Sequence, residues 1–352
     1  MEIAPNTYLT MKLNKSKETK EIISIFVLNT DTENVKRNHK NKNMERFIIA
    51  IAAIFLLSSS KPIHAQQDPH YSMYMFNPLT INPAYAGSLD QASAIGMFRK
   101  QWVNFPGAPQ TAMFSFHAPL KNKNVGLGFQ FVNDQHGIIK TNGFNGIYAY
   151  HLKLRNSRIS MALQAGANNF TANLSSVILN QTGEFDPAFA QNISQWDFTA
   201  GAGLFWYSDK FYVGASIPNI ANNILSANQI NNINVARMRT HAFLTGGYVF
   251  TINPIWKLKP STLLKYAVGA PLQLDLNLNA YFLDVVGIGV SYRTQDAVVA
   301  MLEVLVTNQL RFGYAFDQTI SKLRGYTGAS HEFLLRYDFG FNKQKTITPR
   351  FF

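Results

Sequence analysis

The sequence has 352 residues and no cysteine, and only 15% of its residues are charged. After position 65 no run of 18 apolar residues occurs. The missing cysteine excludes disulfides, cysteine nucleophiles, thiolate zinc sites and a lipid anchor on an N-terminal cysteine. The missing apolar run excludes a helical span in that part of the chain, since such a helix needs about 20 apolar residues. Eight histidines, at 39, 64, 70, 117, 136, 151, 241 and 331, show no HExxH or paired metal-ligand spacing. No G-x-S-x-G elbow or phosphate-binding glycine loop is present. Neither cofactor nor metal is expected, and no enzymatic activity.

What is there points to export. Met44, Glu45 and Arg46 precede an apolar run from Phe47 to Leu57, then Ser58–Ser60 and the small residue Ala65. A charged start, a short apolar core and a small residue describe a secretory signal peptide over 44–65, cleaved between Ala65 and Gln66. Residues 1–43 are polar and lysine-rich, and are expected to be a non-native upstream extension or a disordered leader. Lys and Arg total 32 against 20 Asp and Glu, a net +12; residues 1–65 hold 10 and 6 of these, leaving +8. Such a surplus suits anionic lipid headgroups or acidic partners. Scattered cations without a recognition motif exclude nucleic acid.

From Ala92 to Phe341 apolar side chains recur at every second position. In Leu272–Ala280 the alternation is complete, and Val125–Phe131 repeats it with glycine on the other face. Successive strand side chains point to opposite faces, so one face meets an apolar medium and the other a polar one. Fourteen such segments are predicted: 92–102, 110–119, 124–133, 142–154, 158–169, 196–207, 210–217, 238–252, 256–268, 271–282, 285–293, 297–306, 309–317 and 330–341. Most have the length of tilted transmembrane strands. Long connections fall only at odd-numbered gaps, as an up-and-down barrel with short periplasmic turns and long external loops requires. The aromatics Trp102, Trp196, Trp206, Tyr207 and Trp256 lie near strand ends and are expected in the interfacial girdles. The fold class is therefore all-β: an outer-membrane barrel over 92–352, preceded by a periplasmic arm or plug over 66–91.

That arm carries the most distinctive sequence, Gln67–Gly87, with Asn77-Pro78 and Asn82-Pro83 as turn signals. It is predicted to be extended and irregular. The segment resembles the opening of the PorP/SprF family of type IX secretion membrane proteins in the Bacteroidetes. Further resemblances lie at Arg99–Trp102 with Pro106–Pro109, at Gly287–Arg293 with Asp296 and Ala297, at Gly313–Asp317, at Gly328–Glu332 and at Pro349–Phe352. The resemblance implies the Gram-negative outer membrane and a place in type IX protein secretion. Its implied partners are large secreted surface proteins, such as adhesins used in gliding, or other secretion components.

Within the arm, Tyr74, Phe76, Asn77, Asn82 and Tyr85 are candidates for filling the lumen and docking a partner. Within the strands, Arg99, Asp275, Arg293, Glu303, Arg311 and Arg336 must face the lumen or an interface, because a lipid-facing Arg at the midplane costs about 2–4 kcal/mol. Ser330, His331 and Glu332 could suggest a hydrolase, but neighbours on a strand face opposite ways, so His331 cannot serve both. Docking of secreted proteins is the expected function, with a passive or substrate-specific channel as the alternative on the same fold.

Overall fold

The computed structural model describes residues 71–340, apart from 122, 177–190, 221–223, 227–233, 238–239 and 268–269. Fourteen antiparallel strands close into a ring. They begin with β1 Ala92–Lys100, β2 Gln110–Pro119, β3 Val125–His136, β4 Ile139–Lys153 and β5 Arg158–Ala172. Next come β6 Ile193–Tyr207, β7 Phe211–Asn219, and β8 His241–Tyr248, which resumes at Phe250–Thr251. The wall continues through β9 Trp256–Ala267, β10 Gln273–Phe282 and β11 Val286–Arg293. It ends with β12 Ala297–Leu305, β13 Leu310–Thr319 and β14 Ser330–Phe339. Each strand pairs with its sequence neighbour, and β1 pairs with β14 from Ala92 opposite Phe339 to Lys100 opposite His331. Closure lets backbone groups find partners where water cannot supply them. A small hairpin, Ile224–Ser226 with Asn234–Arg237, forms a separate sheet between β7 and β8.

The alternation that predicts the strands also orients them. On β10, Leu276 and Leu278 point outward and are 50% and 44% exposed, while Asp275, Asn277 and Asn279 are buried inside. β3 and β4 depart from the expected loop over 134–141: they continue to His136 and from Ile139, leaving only Gly137 and Ile138 between them. Gly137 takes φ +56°, the left-handed region that such a tight turn uses. Polar residues such as Asn133, Asp134, Thr141 and Asn142 pair there in full register. Beyond the hydrocarbon layer a ladder needs no apolar face, so the strand persists after its periodic signal has gone.

The longest connections, β5–β6 and β7–β8, share one end of the barrel with β1–β2 and β13–β14. At the other end lie tight turns such as 154–157, 208–210 and 283–285. In outer-membrane barrels long loops face outward and short turns face the periplasm. Ala92 and Phe339 both lie at the short-turn end.

Trp196, Trp206 and Trp256 face outward, 58%, 46% and 40% exposed, as girdle residues do. Tyr207 does not. It adjoins Trp206 on one strand and so must turn inward, where it is buried and stacks on Phe205 with ring centroids 5.2 Å apart. Trp102 sits in the β1–β2 loop with φ 44°.

Candidate functional site

The lumen is occupied by the segment that precedes β1. Residues 72–77 and 79 are buried, as are Ile81, Asn82, Ala84, Tyr85, Ala86 and Leu89. The segment is irregular but includes two single turns of 3₁₀ helix, Pro78–Thr80 and Pro83–Tyr85. Each starts with a proline, whose fixed φ suits a first helical position and whose missing N–H costs nothing there. The Asn82 side chain caps the second turn by accepting from the Ala84 amide at 2.9 Å.

The arm threads the barrel from end to end. Ser72 and Met73 lie beside Arg99, Asp317 and Glu332, all near the long-loop ends of their strands. At the opposite end Asp90 pairs with Lys123 at 3.2 Å and Arg158 at 3.6 Å, both at short turns. The arm therefore leaves the barrel beside β1 at the short-turn end, and its first described residues lie at the long-loop end.

Two apolar clusters hold it. Met73, Tyr74, Met75, Phe76 and Ile81 pack on inward residues that include Ile95, Met97, Val299, Met301 and Leu334. Leu79, Ala84, Tyr85, Ala86 and Leu89 pack on Ile147, Phe205, Tyr207 and Tyr212. A water-filled barrel has a polar interior. Here the inward face is apolar where the arm covers it, and leaving these side chains in water would forfeit about 1.5–3 kcal/mol for each fully buried large residue.

Polar contacts fix the register. Asn277 donates to the Tyr74 hydroxyl at 2.6 Å, and Asn77 donates to the Ser115 hydroxyl at 3.1 Å. Asn82 donates to the Leu204 carbonyl at 2.9 Å, its amide pressed against Gly203 and Gly214. Phe76 lies under the Lys259 ammonium at 5.8 Å, a cation–π approach, and Lys259 is itself wholly buried. Tyr85 meets His117 and Phe205 edge-on at 5.3 and 5.8 Å. All five candidate arm residues thus lie inside the lumen, brought together by the wall.

The six candidate strand charges face inward, none more than 5% exposed, and each has an opposite partner. Arg99 bridges Asp317 at 2.8 Å and Glu332 at 2.9 Å. Arg293 reaches Asp275 at 3.3 Å, Arg311 reaches Glu303 at 3.4 Å, and Arg336 reaches Asp338 at 2.8 Å. The first of these groups is the latch of the arm. Glu332 accepts from the backbone amides of Ser72 at 2.7 Å and Met73 at 2.9 Å, while the Ser72 hydroxyl donates to Asp317 and accepts from Arg99. Ser72 and Asp317 are not among the candidates read from the sequence, and Glu332 is weighed there only beside Ser330 and His331 as a hydrolase fragment. Their signal was parity: Asp317 and Glu332 are charges at inward positions of outward-apolar strands. Ser330 also points inward, whereas His331 points outward and contacts the Tyr314 hydroxyl at 2.7 Å.

The arm leaves through a backbone crossing. Gly87 has φ +72°, and a Cβ on Gly126 of β3 would collide with the Ala86 carbonyl oxygen and crowd the Gly87 Cα. The His151 Nε2–H donates to that same carbonyl at 3.0 Å, and the Gly87 amide donates to His117 Nδ1 at 3.2 Å. Gly126→Ala is expected to lift the arm at its exit and make it sensitive to limited proteolysis. Gly96→Ala, where an added Cβ meets nothing within 4 Å, should leave proteolysis unchanged.

By fold the chain is similar to the Acinetobacter baumannii outer membrane protein Omp33, at 9% identity over 72% of this chain and 100% of that chain, TM-score 0.42. It is also similar to a Pseudomonas aeruginosa FadL homologue, at 13% identity over 79% and 96% of the two chains, TM-score 0.42. The KdgM porin matches at 10% identity over 70% and 99%, TM-score 0.34. No curated protein matches the chain. The family model described as type IX secretion system membrane protein PorP/SprF matches residues 63–337, nearly the whole of the barrel and its arm. The chain belongs to the PorP/SprF family of type IX secretion system membrane proteins.

Proposed function

We propose that this outer-membrane component of type IX secretion is a closed docking barrel without enzymatic activity. It holds large secreted surface proteins, adhesins among them, or a periplasmic part of the secretion machinery, at the membrane. The observation that carries this reading is the occupied lumen: the arm is anchored at both mouths and covers an apolar inner face. A conduit needs a polar, open path, and the buried charges of β1 and β10–β14 are instead paired with one another or with the arm. The reading includes export through a signal peptide ending at Ala65, which lies outside the described residues.

The test is quantitative proteomics of surface and medium fractions from a clean deletion strain and its complemented control. Loss of one or a few large surface proteins is the expected result, and would mark a dedicated partner. Loss of every type IX substrate would assign a core role in the machine. An unchanged exported proteome would contradict docking and favour the channel alternative.

A further inference from the structure

The wall has a notch on its outer side. β6 begins at Ile193 and pairs with β5 along its whole length, but with β7 only from Ala202 to Tyr207. The last contact on that side is the Ile220 amide donating to the Ala200 carbonyl at 2.8 Å. In an antiparallel strand the N–H and C=O of a residue point the same way. Those of Ser194, Trp196 and Phe198 therefore point, like Ala200, toward the side where β7 has ended. Among the described residues nothing pairs with them. Their side chains face outward, with Trp196 58% and Phe198 80% exposed. On the inner side the Asp197 carboxylate is 6% exposed; one oxygen accepts from Gln195 at 3.2 Å and the other, Oδ2, has no partner.

We infer that this free edge of β6 is a strand-addition site for an extended segment of a secreted partner protein. This rests on the docking reading and names its surface. Unpaired strand edges are templates for another chain, and proteins normally blunt or cover them. In strand addition, backbone hydrogen bonds supply affinity and alternate side chains supply specificity. The occupant's chemistry follows from the two faces. Its outward side chains are apolar or aromatic, because they would continue the apolar outer face on which Trp196 and Phe198 lie. Its inward side chains donate hydrogen bonds, one of them to Asp197 Oδ2. The edge lies at the long-loop end, where a surface protein would be met.

Phe198→Pro tests it in the full-length protein. Proline removes an N–H that makes no bond to β5, and proline is tolerated where the N–H side of a strand is free. The barrel ladder is therefore kept and the added strand is blocked. Cells producing Phe198→Pro are compared with the deletion strain by surface proteomics, and heat-modifiability on gels confirms that the barrel folds. A second variant, Asp197→Asn, keeps the shape and removes the charge. The expected result is a normally folded Phe198→Pro barrel whose cells lose the same surface proteins as the deletion strain, at least tenfold, with a smaller loss for Asp197→Asn. Normal export by Phe198→Pro, while the deletion strain fails, overturns the edge site and leaves docking standing. Lowered heat stability with normal export also overturns it, because the edge would then be covered by the chain's own loop. If the deletion strain itself exports normally, both the docking reading and the edge site fall.

Discussion

Glu332→Ala is expected to unlatch the arm from the outer mouth. The Glu332 carboxylate is fully buried and accepts from Arg99 and from two backbone amides, those of Ser72 and Met73. Removing it strands the two amides inside the barrel and takes from Arg99 one of its two carboxylates. Breaking a buried ion pair by deleting one partner costs about 3–5 kcal/mol, and each stranded amide adds about 1–3 kcal/mol. Arg99 keeps Asp317 at 2.8 Å, which moderates the loss. The ring itself should survive, because the β14 backbone pairs on both sides without regard to the side chain. Limited proteolysis in membranes should then cut within residues 71–77 while the barrel core persists. Glu332→Gln, which keeps one acceptor and the shape, should give an intermediate rate. Equal protection of all three proteins would show that the apolar clusters alone hold the arm.

The second large effect concerns direction. Tyr71, the first described residue, precedes the latch and lies at the long-loop mouth, the outer side in a barrel of this kind. The absence of cysteine makes this simple to test with single-cysteine variants. On intact cells a membrane-impermeant maleimide should label Tyr71→Cys, and also Tyr326→Cys, whose parent residue is 81% exposed in the β13–β14 loop. Asp209→Cys, in the β6–β7 turn, should label only after the cells are permeabilised. Labelling of Tyr71→Cys only after permeabilisation would reverse the threading.

The wall was legible in the sequence because lipid imposes a strict period of two. Leu274, Leu276 and Leu278 give β10 away, and parity alone sends Asp275 inward. The arm was legible as a feature but not as a path. Asn77-Pro78 and Asn82-Pro83 announce turns, yet nothing local says that Ser72 will meet Glu332, 260 residues later. The apolar inner face was also readable: β12 carries Val299 and Met301 inward and Val298 and Leu302 outward, so a strand apolar on both faces demanded a covered lumen. The upper parts of β3 and β4 were hidden for the opposite reason. Polar residues on both faces carry no period, although their ladder is complete. The free edge of β6 was beyond reach as well, since it depends on where β7 stops relative to its neighbour.

A barrel that works closed should be silent in a planar bilayer. The intact protein should insert without opening, and a variant lacking residues 71–90 should conduct steadily, with Glu332→Ala flickering between the two. Steady conductance by the intact protein, unchanged when the arm is removed, would make the barrel an open channel and not a closed docking site.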